Sequence, residues 1–74
     1  MILYHRIDDP DSAAVRRRIV ELELKARIDF QNVDSDGAEA FAAHGGRRVP
    51  ALWDGTRLHE GKGAALAAIE TLRR

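Results

Sequence analysis

Val49-Pro50-Ala51-Leu52-Trp53-Asp54-Gly55-Thr56-Arg57-Leu58-His59-Glu60-Gly61 is the stretch on which the fold turns. Val49 to Trp53 is an apolar run of strand length, with a proline near its opening, where the sheet tolerates one. Asp54-Gly55 is a strong two-residue hairpin signal, because both residues accept the backbone conformations that tight turns demand. Thr56 to His59 then pairs back as an antiparallel strand. From Gly61 to Arg74 a final helix is predicted, with Leu66, Ile69 and Leu72 on one face.

Upstream, the chain alternates strand and helix. Ile2 to Ile7 is short and β-rich, and Asp8-Asp9-Pro10-Asp11 stops it. Asp9 is a good N-cap and Pro10 a good first helical residue. In the helix that follows, Val15, Ile19 and Leu22 recur at helical spacing, and Arg16, Arg17, Arg18 and Glu21 take mostly the other side. Glu23 and Lys25 carry it to about its end. Ile28, Phe30 and Val33 bracket a second strand, and Asp34-Ser35-Asp36-Gly37 is a turn with capping residues. Ala38 to Ala43 is a short helix around Phe41, which His44-Gly45-Gly46 ends. The order is β-α-β-α-β-β-α in a single domain spanning 1–74. Strands joined by a helix run parallel with a right-handed crossover, so an α/β fold with a mixed four-stranded sheet flanked by helices is expected.

Composition narrows the function. A chain of 74 residues buries only roughly 60% of its unfolded surface, so its core must be economical. It contains no cysteine, hence no disulfide and no thiolate metal ligand. Apolar residues at 45% and charged residues at 32% suit a folded globular domain. Twelve basic and twelve acidic residues cancel, which argues against nucleic acid held by a general basic field. No apolar run approaches the roughly 20 residues of a membrane span. Charge arrives at Arg6, too soon for a signal peptide, so a cytoplasmic location away from membranes is expected.

Three landmarks resemble the thioredoxin superfamily, above all glutaredoxins and the N-terminal domain of glutathione S-transferases. Asp9-Pro10-Asp11-Ser12 stands at the strand-to-helix turn where glutaredoxins carry Cys-Pro-x-Cys. Val49-Pro50 stands where the family has valine and a cis-proline, and Glu60-Gly61 where transferases commonly have Glu-Ser or Gln-Ser. The resemblance covers essentially the whole chain. It implies a thioredoxin-like βαβαββα fold and a cis Val49-Pro50 bond. Family redox chemistry needs a thiolate at the helix N-terminus, where free N–H groups and the dipole lower its pKa. Asp9 and Ser12 hold the two cysteine positions, so thiol-disulfide exchange is excluded.

The resemblance also nominates a ligand groove. The main chain of Val49, before Pro50, pairs in the family with glutathione as with an added strand. The N-terminus of the last helix at Gly61 takes a carboxylate, Glu60 meets the ammonium group, and Arg47 or Arg48 faces the other carboxylate. Gly61 lacks the family hydroxyl, which weakens that binding; the alternative is that Glu60 caps a helix and the arginines are solvated. Ser12 is the sole candidate for catalysis, because some transferases hold the glutathione thiolate with a serine near this turn. Asp8, Asp9 and Asp11 would oppose a thiolate there, and the helical second domain of transferases is not in this sequence.

Other residues read as structural. His5, His44 and His59 have no metal-ligand spacing, and Asp34-x-Asp36-Gly37 lacks the later ligands of a calcium loop. Arg16-Arg17-Arg18 spans most of a helix circumference and forms no single patch. Trp53 is expected in the core. The leading expectation is a cysteine-free, redox-inactive, glutaredoxin-like module. It binds a peptide, a partner protein or, weakly, glutathione through Asp9, Ser12, Arg48, Val49, Pro50, Glu60 and Gly61. The alternatives are a degenerate transferase-like enzyme using Ser12 and a purely structural or oligomerising domain. Apart from glutathione as a ligand, no cofactor or metal is implied.

Overall fold

The computed structural model describes residues 1–72. Its elements are β1 (Ile2–His5), α1 (Pro10–Glu21), β2 (Asp29–Asn32), α2 (Ala38–Ala43), β3 (Ala51–Trp53), β4 (Leu58–Glu60) and α3 (Lys62–Leu72), with a 3₁₀ turn at Lys25–Arg27. The four strands form one mixed sheet in the order β2-β1-β3-β4. β1 runs parallel to β2 and antiparallel to β3, and β4 is antiparallel to β3. This is the expected α/β class with three helices.

Strand alternation divides the side chains between two layers. Leu3 of β1 and Leu52 of β3 are directly paired and fully buried against Val15 and Ile19 of α1 and Ala65 and Ile69 of α3. Tyr4, the next residue along, lies against Phe41 of α2 with ring centroids 5.4 Å apart. Trp53 belongs to this second layer and stacks on His44 at 3.7 Å, yet it is only half-buried, short of the core position expected for it. A short α2 covers too little of the sheet to enclose so large a ring. Ala65, which the apolar pattern passes over, is fully buried, while Leu66 and Leu72 are partly so. A small residue there lets α3 approach the sheet closely. Of the helix expected to run to Arg74, residues 73 and 74 lie outside the described residues.

Two boundaries differ from expectation for identifiable reasons. α1 stops at Glu21, not near Lys25, because Glu23 takes a left-handed conformation with φ 58°. Its N–H reaches the carbonyl of Val20, and that of Leu24 reaches the carbonyl of Ile19 at 3.0 Å. These paired bonds, with Leu24 and Ile19 both buried, form a Schellman cap in which glutamate sits where glycine is usual. α2 ends in the same way, but with Gly45 at φ 78°, as its sequence suggests.

The β3–β4 hairpin turns around Gly55-Thr56, one residue later than Asp54-Gly55. The Oδ1 atom of Asp54 accepts the N–H groups of Thr56 and Arg57, both at 2.8 Å, which moves the turn. The strands are correspondingly shorter than Val49–Trp53 and Thr56–His59. The Val49–Pro50 bond is cis, as expected. Among the described residues no helix is long and apolar enough to cross a membrane.

The left-handed glutamate gives a stability test. A side chain in that region costs roughly 1–2 kcal/mol, and a glycine returns part of this as lost chain entropy. Glu23→Gly is therefore expected to stabilise the protein by about 0.5–1 kcal/mol in urea unfolding, and Glu23→Val to destabilise it.

Candidate functional site

β1 ends, β3 begins and β4 ends on the same side of the sheet, and this brings the residues singled out by sequence together. Gly61 donates its N–H to the carbonyl of Pro50 at 2.8 Å, extending the β3–β4 pairing by one bond. Lys62 Nζ lies 3.8 Å from Asp11 Oδ1, so the first turns of α1 and α3 are neighbours. Asp9, Ser12, Pro50, Glu60 and Gly61 thus share one end of the molecule.

The turn into α1 satisfies itself. Asp9 is the N-cap, and its Oδ2 accepts from the N–H of Ser12 at 2.8 Å and from the Ser12 hydroxyl at 2.7 Å. Ser12 Oγ in turn accepts the N–H of Arg6 at 3.2 Å, and the residue is fully buried. The Ser12 hydroxyl, first, and its N–H hold the Asp9 carboxyl below the usual carboxylate range. The one side-chain donor of Ser12 is spent on Asp9, and the buried residue has no exposed edge to present to a ligand thiol.

Behind this turn lies a pair that the sequence reading missed. Arg16 Nη1 is 2.9 Å from His5 Nδ1 and 3.1 Å from the carbonyl of Arg6, and its Nη2 bonds the carbonyl of Ile7. A guanidinium only donates, so the Nδ1 of His5 accepts and its proton sits on Nε2. Burial first, then the Arg16 charge, lowers the His5 pKa. The available signal was strand parity, which puts His5 on the same face as Leu3. Of the three successive arginines, Arg16 braces the β1–α1 connection and Arg18 pairs with Glu70 at 2.9 Å. They form no patch, as expected.

Glu60 organises the other wall. Its Oε1 accepts the backbone N–H of Arg47 at 2.7 Å and of Arg48 at 2.9 Å, a concave pair of donors closed around one oxygen. The Arg47 N–H, first, and that of Arg48 push its pKa down. The carboxylate that the resemblance aims at a ligand ammonium is anchored here in the loop. The Arg47 and Arg48 side chains are exposed. Gly61 has φ 91°, which accounts for glycine where the family hydroxyl is expected: an L side chain is strained in that conformation. A Cβ at Gly61 would also stand 3.6 Å from the Arg48 side chain, ordinary contact.

Between these held residues, Val49 is half-buried, and neither its N–H nor its C=O finds a partner among the described residues. Pro50 beside it is buried. No group of three or more His, Cys, Asp or Glu side chains that could hold a metal occurs among the described residues. The site offers a peptide unit for pairing between two helix starts. Comparison of the chain with family models, curated proteins and solved structures gives no match.

The Glu60 anchor predicts a pH effect. With its native pKa lowered, Glu60 contributes stability that is full above its ordinary range near pH 4.5 and lost as the pH falls through the native value. Glu60→Gln keeps an acceptor but no charge, so it is expected to cost about 1 kcal/mol at pH 7, reduced because the carboxylate is partly solvated. In urea unfolding the gap between wild type and Glu60→Gln should shrink toward pH 3.

Proposed function

We propose that this chain is a redox-inactive, thioredoxin-like module of the glutaredoxin type that binds an extended peptide backbone at Val49, with glutathione as the smallest such ligand. The observation that carries this reading is the unpartnered Val49 peptide between the bonded N–H groups of Arg47 and Arg48 and the bonded carbonyl of Pro50. Arg48 before it is held by Glu60, and the carbonyl of Pro50 after it is held by Gly61. An extended ligand pairing with Val49 gains main-chain hydrogen bonds without ordering the loop, so little of the binding energy is lost to entropy.

Three further features support it. The sheet order β2-β1-β3-β4, with one parallel and two antiparallel pairings, is compatible with the arrangement that the resemblance implies. The start of α3 faces the same end of the molecule and carries no side-chain cap from Gly61, which favours a ligand carboxylate nearby. Where the family would place its thiols, Asp9 and Ser12 bond each other. A buried Ser12 whose hydroxyl is donated to the Asp9 cap argues against a transferase role.

Backbone NMR tests the reading directly. Titration with millimolar glutathione, and separately with a blocked, uncharged, β-prone pentapeptide, should shift the Val49 amide saturably in both cases. Gly61 and Lys62 should respond more to glutathione, which brings carboxylates. Val49 signals unmoved by either ligand would overturn the proposal.

A further inference from the structure

The opposite end of the sheet carries a concavity, independent of the Val49 site. It is a cleft of about 400 Å³ between α3 and the hairpin end of the sheet, walled by Met1, Leu52, Ala64 and Ala68, with Asp54 and His59 among its lining. Its volume is at the lower end of the range for small-ligand pockets, roughly 300–1,000 Å³. Alanines on α3 create the space, since larger side chains at those positions would fill it.

Besides the Met1 ammonium and the Thr71 hydroxyl, which donates to the carbonyl of Ala68 at 2.6 Å, the cleft holds two polar side chains fixed in direction. His59 Nε2 lies 2.8 Å from Asp54 Oδ2, and Asp54 Oδ1 is already occupied by the N–H groups of Thr56 and Arg57. The His59 hydrogen bond, first, and those two N–H groups keep Asp54 ionised well below the usual carboxylate range. An ionised carboxylate accepts, so Nε2 carries the proton, and the Nδ1 of a neutral imidazole is left as an acceptor. Nδ1 has no partner among the described residues. The two side chains are 24% and 31% exposed, so the pair is sheltered but reachable.

This arrangement selects by charge and by hydrogen-bond polarity. An anion in the cleft would meet the Asp54 carboxylate, and the one cation among the lining residues, the Met1 ammonium, is exposed and already donates to the carbonyl of Arg27 at 3.4 Å. A cation would surrender its hydration to carbon walls and find both Asp54 oxygens engaged. A neutral donor suits these groups, with an apolar body for the alanine-lined space and one O–H for the unpartnered Nδ1. We propose that the cleft is a binding site for a compact, uncharged, mainly apolar molecule carrying one hydroxyl group, which donates to Nδ1 of His59.

The test uses 4-ethylphenol, ethylbenzene and 4-ethylbenzoate at pH 8, followed by NMR of the Leu52, Ala64 and Ala68 methyls and the His59 ring. 4-Ethylphenol should bind saturably, about threefold to tenfold tighter than ethylbenzene, the range one net hydrogen bond supplies. 4-Ethylbenzoate should bind more weakly than either. His59→Phe should erase the preference for the phenol, and Ala68→Leu should block both neutral probes. Failure of 4-ethylphenol to bind, equal affinities for the two neutral probes, tighter benzoate binding, or a preference that persists in His59→Phe would each overturn the proposal. The wild-type comparison decides the matter even if a variant does not fold. Signals at Val49 report separately on the other site.

Discussion

One carboxylate holds the end of this molecule that carries Val49 in shape. Glu60, at the end of β4, reaches across to the backbone of Arg47 and Arg48 and closes both N–H groups onto a single oxygen. That contact ties the loop after α2 to the edge of the sheet. With Gly61 bonded to Pro50 one residue on, the chain entering β3 is fixed on both sides. A charge-assisted bond of this kind is stronger than a neutral one and sets geometry as well as energy. Without it, the loop carrying Val49 would have only its flanking elements to define its path.

A different economy governs the turn facing it. Where a redox protein would need a thiolate with open N–H groups around it, Asp9 supplies a fixed anion, and Ser12 completes the cap beneath it. A permanent anion at a helix start stabilises the helix through its dipole and its hydrogen bonds. It also occupies the electropositive position that would otherwise activate a nucleophile. Reactivity and capping compete for the same donors, and here capping has them. What stays unengaged at this end is the backbone of Val49.

Much of this was legible in the sequence, for local reasons. Asp9-Pro10 announced the helix start, Gly45-Gly46 the end of α2, and Val15, Ile19 and Ile69 the apolar helix faces, because propensity, capping and periodicity agreed there. The misses were places where a side chain or a tertiary contact overrode the local signal. Asp54 captured the N–H groups of Thr56 and Arg57 and moved the turn; Glu23 accepted a glycine conformation because Leu24 and Ile19 pack beneath the cap. Glu60 was visible as a groove residue, but its attachment to Arg47 and Arg48 depends on a contact across 12 and 13 positions that no pattern reports. The Arg16–His5 contact was hidden for the same reason, since three consecutive arginines look alike until the fold assigns each a neighbour.

The central claim is that Val49 presents an unused peptide unit within a loop held rigid around it. Amide hydrogen exchange in the free protein measures this residue by residue. The account predicts slowed exchange at Arg47 and Arg48, whose N–H groups are held by Glu60, and markedly faster exchange at Val49 between Arg48 and the buried Pro50. Protection at Val49 equal to that at Arg48 would mean that its N–H is already engaged, and would contradict the account.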